Sequence, residues 1–232
     1  MQNLLRRLLL GAAILFASVY SSAQSPTVIS QAYNETFHTA QVTVAEEGFC
    51  SATAIGPLAL LTATHCELGT DEITLQGKGG SPDVDLKIDR RVRDGYDHTI
   101  LYVSPTYLAG YTFTNVATVE PDYRAALGQG VFVIGNPHGF SEIFRKGYIA
   151  GAESYDNGGE SIPEILVDIH VGPGDSGAAI FDEFGNVIGV VAGIEVHGDA
   201  ADVADQYRMP YALSLNFTVG QLKEAASYGA KK

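Results

Sequence analysis

Three short segments carry side chains that could do chemistry together. Leu61-Thr62-Ala63-Thr64-His65-Cys66 offers an imidazole, Asp97-His98-Thr99-Ile100-Leu101 a carboxylate, and Gly172-Pro173-Gly174-Asp175-Ser176-Gly177 a hydroxyl set among glycines. A serine hydroxyl is a weak nucleophile at neutral pH. It becomes useful when a base takes its proton, and that base needs a fixed tautomer. Ser176 is the candidate nucleophile, His65 its base, and Asp97 the group that holds the other imidazole nitrogen. Asp89 and Asp94 also lie nearby; Asp97 is preferred because it directly precedes an apolar run. Gly174, between Pro173 and Asp175, can take a positive φ and turn its N–H toward a substrate. With the N–H of Ser176 it would form an oxyanion hole, where losing one donor typically costs about 10²- to 10³-fold in rate. Gly177 would let the chain run closely past an acyl group. Such a set suits acyl transfer.

These residues are far apart in the chain, so they meet only if two halves of the molecule face each other. The pattern around them is of strands. Gln41 to Val44, Ser51 to Ile55, Ala59 to Thr62, Thr99 to Val103, Val131 to Ile134, Glu142 to Ile149, Glu164 to Val167, Ala178 to Phe181, Val187 to Val191 and Tyr211 to Leu215 are short apolar or alternating runs. Val84 to Ile88 alternates with period two, as a half-exposed strand does. Turn signals lie between them at Gly79-Gly80, Asn157-Gly158-Gly159 and Phe184-Gly185-Asn186. Only Thr218 to Ser227 has a helical period, with Val219, Leu222 and Ala226 on one face. Many strands and one terminal helix predict an all-β barrel or sandwich. Residues 104–125 read as the connection between the halves.

The ends and the composition narrow the setting. Arg6 and Arg7, the apolar run Leu8 to Val19, and Ser21-Ser22-Ala23 read as a secretory signal over 1–23, with a mature start near Gln24. An uncleaved anchor is the competing reading, but the run is short for a span. Export places the protein in the periplasm or outside the cell, where Cys50 and Cys66, the two cysteines, can form a disulfide. The entropy model gives that loop a stabilisation of about 3 kcal/mol. Two cysteines make a poor metal site, so no metal is expected. With 14 Lys and Arg against 27 Asp and Glu, net charge −13, general nucleic-acid binding is disfavoured, as is binding to an anionic membrane once the signal is gone.

The three segments, in this chain order and with a cysteine bracket around His65, resemble the trypsin/chymotrypsin-like serine peptidases. Ile134-Gly135-Asn136-Pro137-His138-Gly139, Val167-Asp168-Ile169-His170-Val171-Gly172-Pro173-Gly174 and Asn186-Val187-Ile188-Gly189-Val190 are similar to local words of HtrA/Deg peptidases; the glutamyl endopeptidases share the outline. Unlike a full Deg protease, this chain is expected to carry no PDZ domain after the terminal helix. The resemblance implies two antiparallel six-stranded β-barrels with a C-terminal helix. The first barrel and an N-terminal arm would occupy 24–115, and the second barrel and the helix 116–232. It also implies a serine endopeptidase that acts on polypeptides, needs no cofactor, and uses His65, Asp97 and Ser176 in a cleft between the barrels.

The resemblance also raises questions of specificity and activation. His170 stands where trypsin has the Asp that binds basic side chains, and the stretch Val191-Ala192-Gly193 lacks the His that reads glutamate in glutamyl endopeptidases. Val191, Ala192 and Gly193 as pocket wall, with His170, point to a small or medium apolar residue before the scissile bond. In the trypsin branch the Asp before the serine pairs with a new N-terminus. No Ile-Val-Gly-Gly segment follows a basic residue near 24–45, so Asp175 needs another partner, which the sequence does not name. His38, His98, His138 and His197 read as surface or loop residues. Two rivals remain. One is an esterase, disfavoured because the Gly-x-Ser-x-Gly signature and its alternating helices are absent. The other is a non-catalytic peptide- or protein-binding module on the same fold.

Overall fold

The computed structural model describes residues 39–44, 48–66, 71–75, 84–105, 113, 115–120, 123–140, 142–197 and 207–230. The expected signal over 1–23, the arm that follows it and the Gly79-Gly80 turn lie outside the described residues.

Apolar runs without alternation become strands covered on both faces. β3 (Ala59–Ala63) and β6 (His98–Val103) are buried along their whole length and pair antiparallel, with Ala63 opposite His98. They are the centre of the first sheet, whose order is β1 (Thr39–Val44), β2 (Gly48–Gly56), β3, β6, β5 (Val84–Arg93), β4 (Glu72–Leu75). The end strands β1 and β4 lie against each other, so the sheet curls into a barrel. β5 alternates as its sequence predicts: Leu86 and Ile88 are buried, Asp85 and Lys87 exposed. β4 has no counterpart among the expected strands. Its four residues carry two polar side chains and too short a period to stand out.

The second sheet closes completely. Its order is β11 (Ala179–Asp182), β8 (Gly130–Gly135), β9 (Ile143–Asn157), β10 (Glu160–Asp168), β13 (Tyr207–Leu213), β12 (Asn186–His197), and β12 pairs back onto β11. β7 (Thr118–Val119) is added outside this ring, parallel to β12. It belongs to the connection between the barrels, so the connection is a short strand in its middle and not only a loop. β9 and β10 form a hairpin through Gly158 and Gly159, whose φ of 68° and 100° are what a two-residue turn of type I′ requires.

Strand alternation decides how the barrels are joined. On β8, Val131 and Val133 face the core of the second barrel, while Phe132 and Ile134 face an apolar cluster that continues into the first. β11 repeats the pattern, with Ile180 facing one way and Ala179 and Phe181 the other. The shared cluster runs from Leu60, Leu61 and Ile100 through Phe132 and Phe181 to Phe217. Phe132 stacks on Phe181 at 4.9 Å and on Phe144 at 5.5 Å between ring centroids. A continuous seam of this kind fixes one barrel against the other. Phe132→Ala should therefore destabilise the protein by about 3–5 kcal/mol, read from the shift of a urea unfolding midpoint.

The terminal helix α1 (Val219–Ser227) is capped by Thr218: its hydroxyl accepts the Gln221 N–H at 3.2 Å, and Gln221 Oε1 accepts the Thr218 N–H at 2.8 Å. The buried face is rotated from the one the sequence suggests. Ala225 is fully buried and Leu222 half-buried, whereas Val219 and Ala226 are exposed. The reason is at Gly56 on β2, where a Cβ would come within 1.9 Å of the Ala225 carbonyl oxygen. Only a glycine there lets the helix lie so close. No described helix is long and apolar enough to cross a membrane.

Candidate active site

The β3–β6 register explains why His65 and Asp97 meet. In an antiparallel pair the end of one strand lies beside the start of the next. His65 follows β3 in a single 3₁₀ turn over Thr64–Cys66, and Asp97 directly precedes β6. The Thr64 N–H donates to the Asp97 carbonyl at 2.8 Å. Cys66 is bonded to Cys50 on β2, with Cα atoms 5.9 Å apart, and this clamps the far side of the turn. Both Asp97 carboxylate oxygens reach His65: Oδ2 lies 2.7 Å from ring Nδ1 and Oδ1 accepts the His65 N–H at 3.0 Å. The ring is 44% exposed and the carboxylate 22%. Cys50, His65 and Cys66 also form a compact cluster, but sulfurs bonded to each other cannot act as thiolate ligands.

The Ser176 loop is pinned to the same place. The Ser51 N–H donates to the Ser176 carbonyl at 2.7 Å. A Cβ on Gly177, whose φ is 83°, would lie 2.1 Å from the Ser51 carbonyl oxygen, 2.3 Å from Thr62 Oγ1 and 3.1 Å from Ala63 N. Gly177 is thus needed where the loop presses on β2 and β3 of the other barrel. Ser51 adjoins Cys50 and Ala63 is two residues from His65, so the loop is brought up to the imidazole. Among the described residues, neither Ser176 Oγ nor His65 Nε2 forms a hydrogen bond. Such contacts commonly tighten only when substrate is bound.

Gly174 shows how the loop presents its backbone. The Pro173 carbonyl accepts the His138 N–H at 2.6 Å. Across a planar trans peptide the next N–H points the opposite way, so the Gly174 N–H turns from His138. The φ of Gly174 is 100°, and a Cβ there would sit 2.3 Å from the Asn136 carbonyl oxygen. Ser51 Oγ donates to the Gly174 carbonyl at 2.8 Å and accepts from Asn136 N and Nδ2 at 3.0 and 2.9 Å. The N–H groups of Gly172, Asp175, Gly177 and Ala178 all have protein acceptors. Those of Gly174 and Ser176 have none among the described residues, so two donors stay open beside the hydroxyl.

The partner of Asp175 is Arg145 on β9. Its guanidinium grips both carboxylate oxygens at 2.5 Å, and the Gly172 N–H adds a third bond at 2.8 Å. The Asp175 side chain is wholly buried and that of Arg145 is 14% exposed. Arg145 also donates to the His170 carbonyl at 3.0 Å. Gly135 makes this possible, since a Cβ there would lie 2.3 Å from Asp175 Oδ1. Sequence reasoning missed Arg145. The available signal was the demand itself: a carboxylate in a buried loop with no new N-terminus requires an internal cation.

Of the expected pocket residues, His170 lines a cavity of about 340 Å³ with Val167, Asp168, Ile169, Val171, Ile194, Met209 and Pro210. Val191 does not line it; it faces the second-barrel core, because that side of β12 points inward. Ala192 and Gly193 are half-buried and outside the lining, and the Tyr211 ring packs on Gly193. His138 is exposed, in a short 3₁₀ turn over Pro137–Gly139, with a φ of 53°.

His98 departs from the surface reading. Its side chain and that of Asp94 are fully buried, with Nδ1 2.6 Å from Asp94 Oδ2. Burial pushes the Asp94 carboxyl up, but the bond and charge of His98 and the N–H groups of Asn216 and Tyr96 outweigh it and hold the carboxyl below its ordinary value. A carboxyl lowered on folding stabilises the protein fully above its unfolded pKa of about 3.9 and loses that contribution as pH falls through the folded value. Urea midpoints of wild type should therefore drop below about pH 4 more steeply than those of Asp94→Asn.

Residues 48–190, more than half of the chain, match the family described as trypsin-like peptidase domain. The chain belongs to the trypsin-like peptidases. The chain is 37% identical over 67 residues to Protease Do-like 5, chloroplastic, of Arabidopsis thaliana, a match that covers 28% of this chain and 21% of that relative. Among solved structures, Deg5 superposes with a TM-score of 0.58 at 21% identity, over 73% of this chain and 86% of that one. The Rv3671c protease in an inactive form gives 0.59 at 21% identity, over 89% and 97%. The HtrA-type protease AlgW with a tripeptide gives 0.62 at 20%, over 86% and 64%. These likenesses establish the chymotrypsin-like fold for this peptidase.

Proposed function

We propose that this peptidase is an exported serine endopeptidase that hydrolyses polypeptides through an acyl-enzyme. The observation that carries the reading is the grip of both Asp97 oxygens on His65, beside a serine loop with two open N–H donors. Asp97 fixes the proton on Nδ1, so Nε2 is the basic nitrogen. Ser176 Oγ attacks the peptide carbonyl carbon while its proton passes to Nε2. The carbonyl electron pair moves to oxygen, and the N–H groups of Gly174 and Ser176 bind the resulting oxyanion. The oxyanion collapses, the C–N bond breaks, and His65 gives its proton to the leaving amine. Water then attacks the Ser176 ester with His65 again as base, and the proton returns to Ser176 Oγ. Asp97 stays ionised and stabilises the imidazolium. No step calls for a metal or organic cofactor.

Arg145 supplies from within the chain the counter-charge that Asp175 requires, which supports a site assembled without cleavage of a precursor. The disulfide and the signal-like N-terminus support a periplasmic or extracellular setting. Val171, Ile194 and Met209 in the cavity beside His170 favour a small or medium apolar residue before the scissile bond. The purified protein should cleave an unfolded polypeptide such as casein, and Ser176→Ala should not. A peptide-library profile dominated by Arg, Lys or Glu would refute the apolar preference, and absence of cleavage in any library would favour a binding module.

A further inference from the structure

Behind the His65–Asp97 pair lies a second carboxylate–imidazole pair, Asp94–His98, which the proposed chemistry does not use. Its geometry is that of a brace. Asp94 Oδ1 accepts the N–H groups of Tyr96 at 2.9 Å and His98 at 3.2 Å; Oδ2 accepts the Asn216 N–H at 3.0 Å and lies 2.6 Å from His98 Nδ1. The Asp94 N–H donates to the His98 carbonyl at 3.2 Å, and Asn216 Nδ2 to the Asp94 carbonyl at 3.3 Å. One buried carboxylate therefore closes the loop on both sides of Asp97. Through Asn216 it also ties that loop to the segment between β13 and α1.

The Thr64 N–H holds the Asp97 backbone, but not the direction of its side chain. Among the described residues its carboxylate accepts hydrogen bonds only from His65, the group it is meant to hold. The outer side of the loop is open: Gly95 has a φ of 87°, and a Cβ there would meet nothing within 4 Å. On that side the Tyr96 hydroxyl donates to exposed Glu160 at 3.2 Å, while on the buried side the loop is held through Asp94. Burying a carboxylate and an imidazole is costly unless they satisfy each other. Among the described residues His98 Nε2 is buried without a hydrogen-bond partner, so that cost is not fully offset and the ring is not simply a well-satisfied core residue.

We infer that Asp94 and His98 are positioning residues, which set the angle at which Asp97 meets the His65 ring. The inference rests on the reading of Asp97 as the residue that orients His65. A misplacement on the order of 1 Å at a reacting centre can cost about 10²-fold in rate.

The test uses the full-length mature protein. His98→Leu keeps an apolar side chain but no donor, Asp94→Asn keeps shape but not charge, and His98→Asn returns an N–H near the position of Nδ1. His98→Leu and Asp94→Asn should lower kcat by about 10- to 100-fold, with KM within about twofold of wild type. His98→Asn should recover most of the loss. A readout independent of turnover is the downfield proton resonance of His65 Nδ1–H, assigned by its disappearance in Asp97→Asn. It should shift or broaden in His98→Leu and return in His98→Asn. The inference is overturned if folded His98→Leu keeps both kcat and that resonance, or if His98→Asn is as damaged as His98→Leu. If wild type proves to have no peptidase activity, the endopeptidase reading fails by itself, and the resonance alone decides whether the brace positions Asp97. Should His98→Leu not fold, Asp94→Asn takes its place: a shifted or broadened resonance supports the brace, and one unchanged from wild type overturns it.

Discussion

Replacing His65 with alanine should lower kcat by about 10⁴- to 10⁶-fold, because the base that takes and returns the serine proton is gone. KM should change little, since the ring sits at the reacting bond and not in the substrate pocket. Folding should be retained, because the ring is substantially exposed and its bonds are confined to Asp97. The residual rate would come from the oxyanion donors and substrate binding, and both are intact in this variant. Steady-state kinetics on a peptide substrate, with circular dichroism as the control for folding, measures the effect. Turnover close to wild type in a folded His65→Ala protein would remove the imidazole from the mechanism.

The second large effect lies at Arg145. Arg145→Met leaves the Asp175 carboxylate wholly buried with only the Gly172 N–H to meet it. Breaking a buried pair by removing one partner typically costs about 3–5 kcal/mol. Asp175 stands between the two residues whose N–H groups would hold the oxyanion. A shift of its side chain therefore moves the Gly174 and Ser176 donors, and turnover should fall by about 10²- to 10³-fold. Adding Asp175→Asn to Arg145→Met removes the stranded charge and should recover much of the stability but not the activity. Urea unfolding of the three variants beside wild type checks the first part and kcat the second. An Arg145→Met protein as stable as wild type would show that the pair contributes nothing to the loop.

The residue types that could do chemistry were legible before the fold because they sit in local words. His65 and Ser176 each lie in a segment whose neighbours are specialised: a cysteine clamp for one, a glycine turn for the other. Asp97 was selected over Asp94 and Asp89 from its place before an apolar run, and the β3–β6 register brings it beside His65. The strands were readable where burial is uniform or strictly alternating, as in β3, β6 and β5. β4 and β7 were not, since a strand of two or four residues has too few positions for a period to show.

What sequence could not reveal depends on pairs brought together from distant places. Arg145 and Asp175 are 30 residues apart, and nothing in either neighbourhood names the other. The turn of α1 onto Ala225 follows from the missing side chain of Gly56, far upstream. His98 looked like a surface residue because a lone histidine at a strand start carries no sign of burial; its partner four residues back had been weighed only as a rival to Asp97. In both cases the missing information was which polar group would be buried and therefore forced to find a partner.

Reaction with a fluorophosphonate probe, followed by mass spectrometry of the digested protein, tests the central claim most directly. The proposed mechanism predicts a single phosphonyl adduct on the peptide containing Ser176, none on Ser176→Ala, and far slower labelling of His65→Ala. Folded wild-type protein that takes up no probe, or takes it up at another residue, would contradict it.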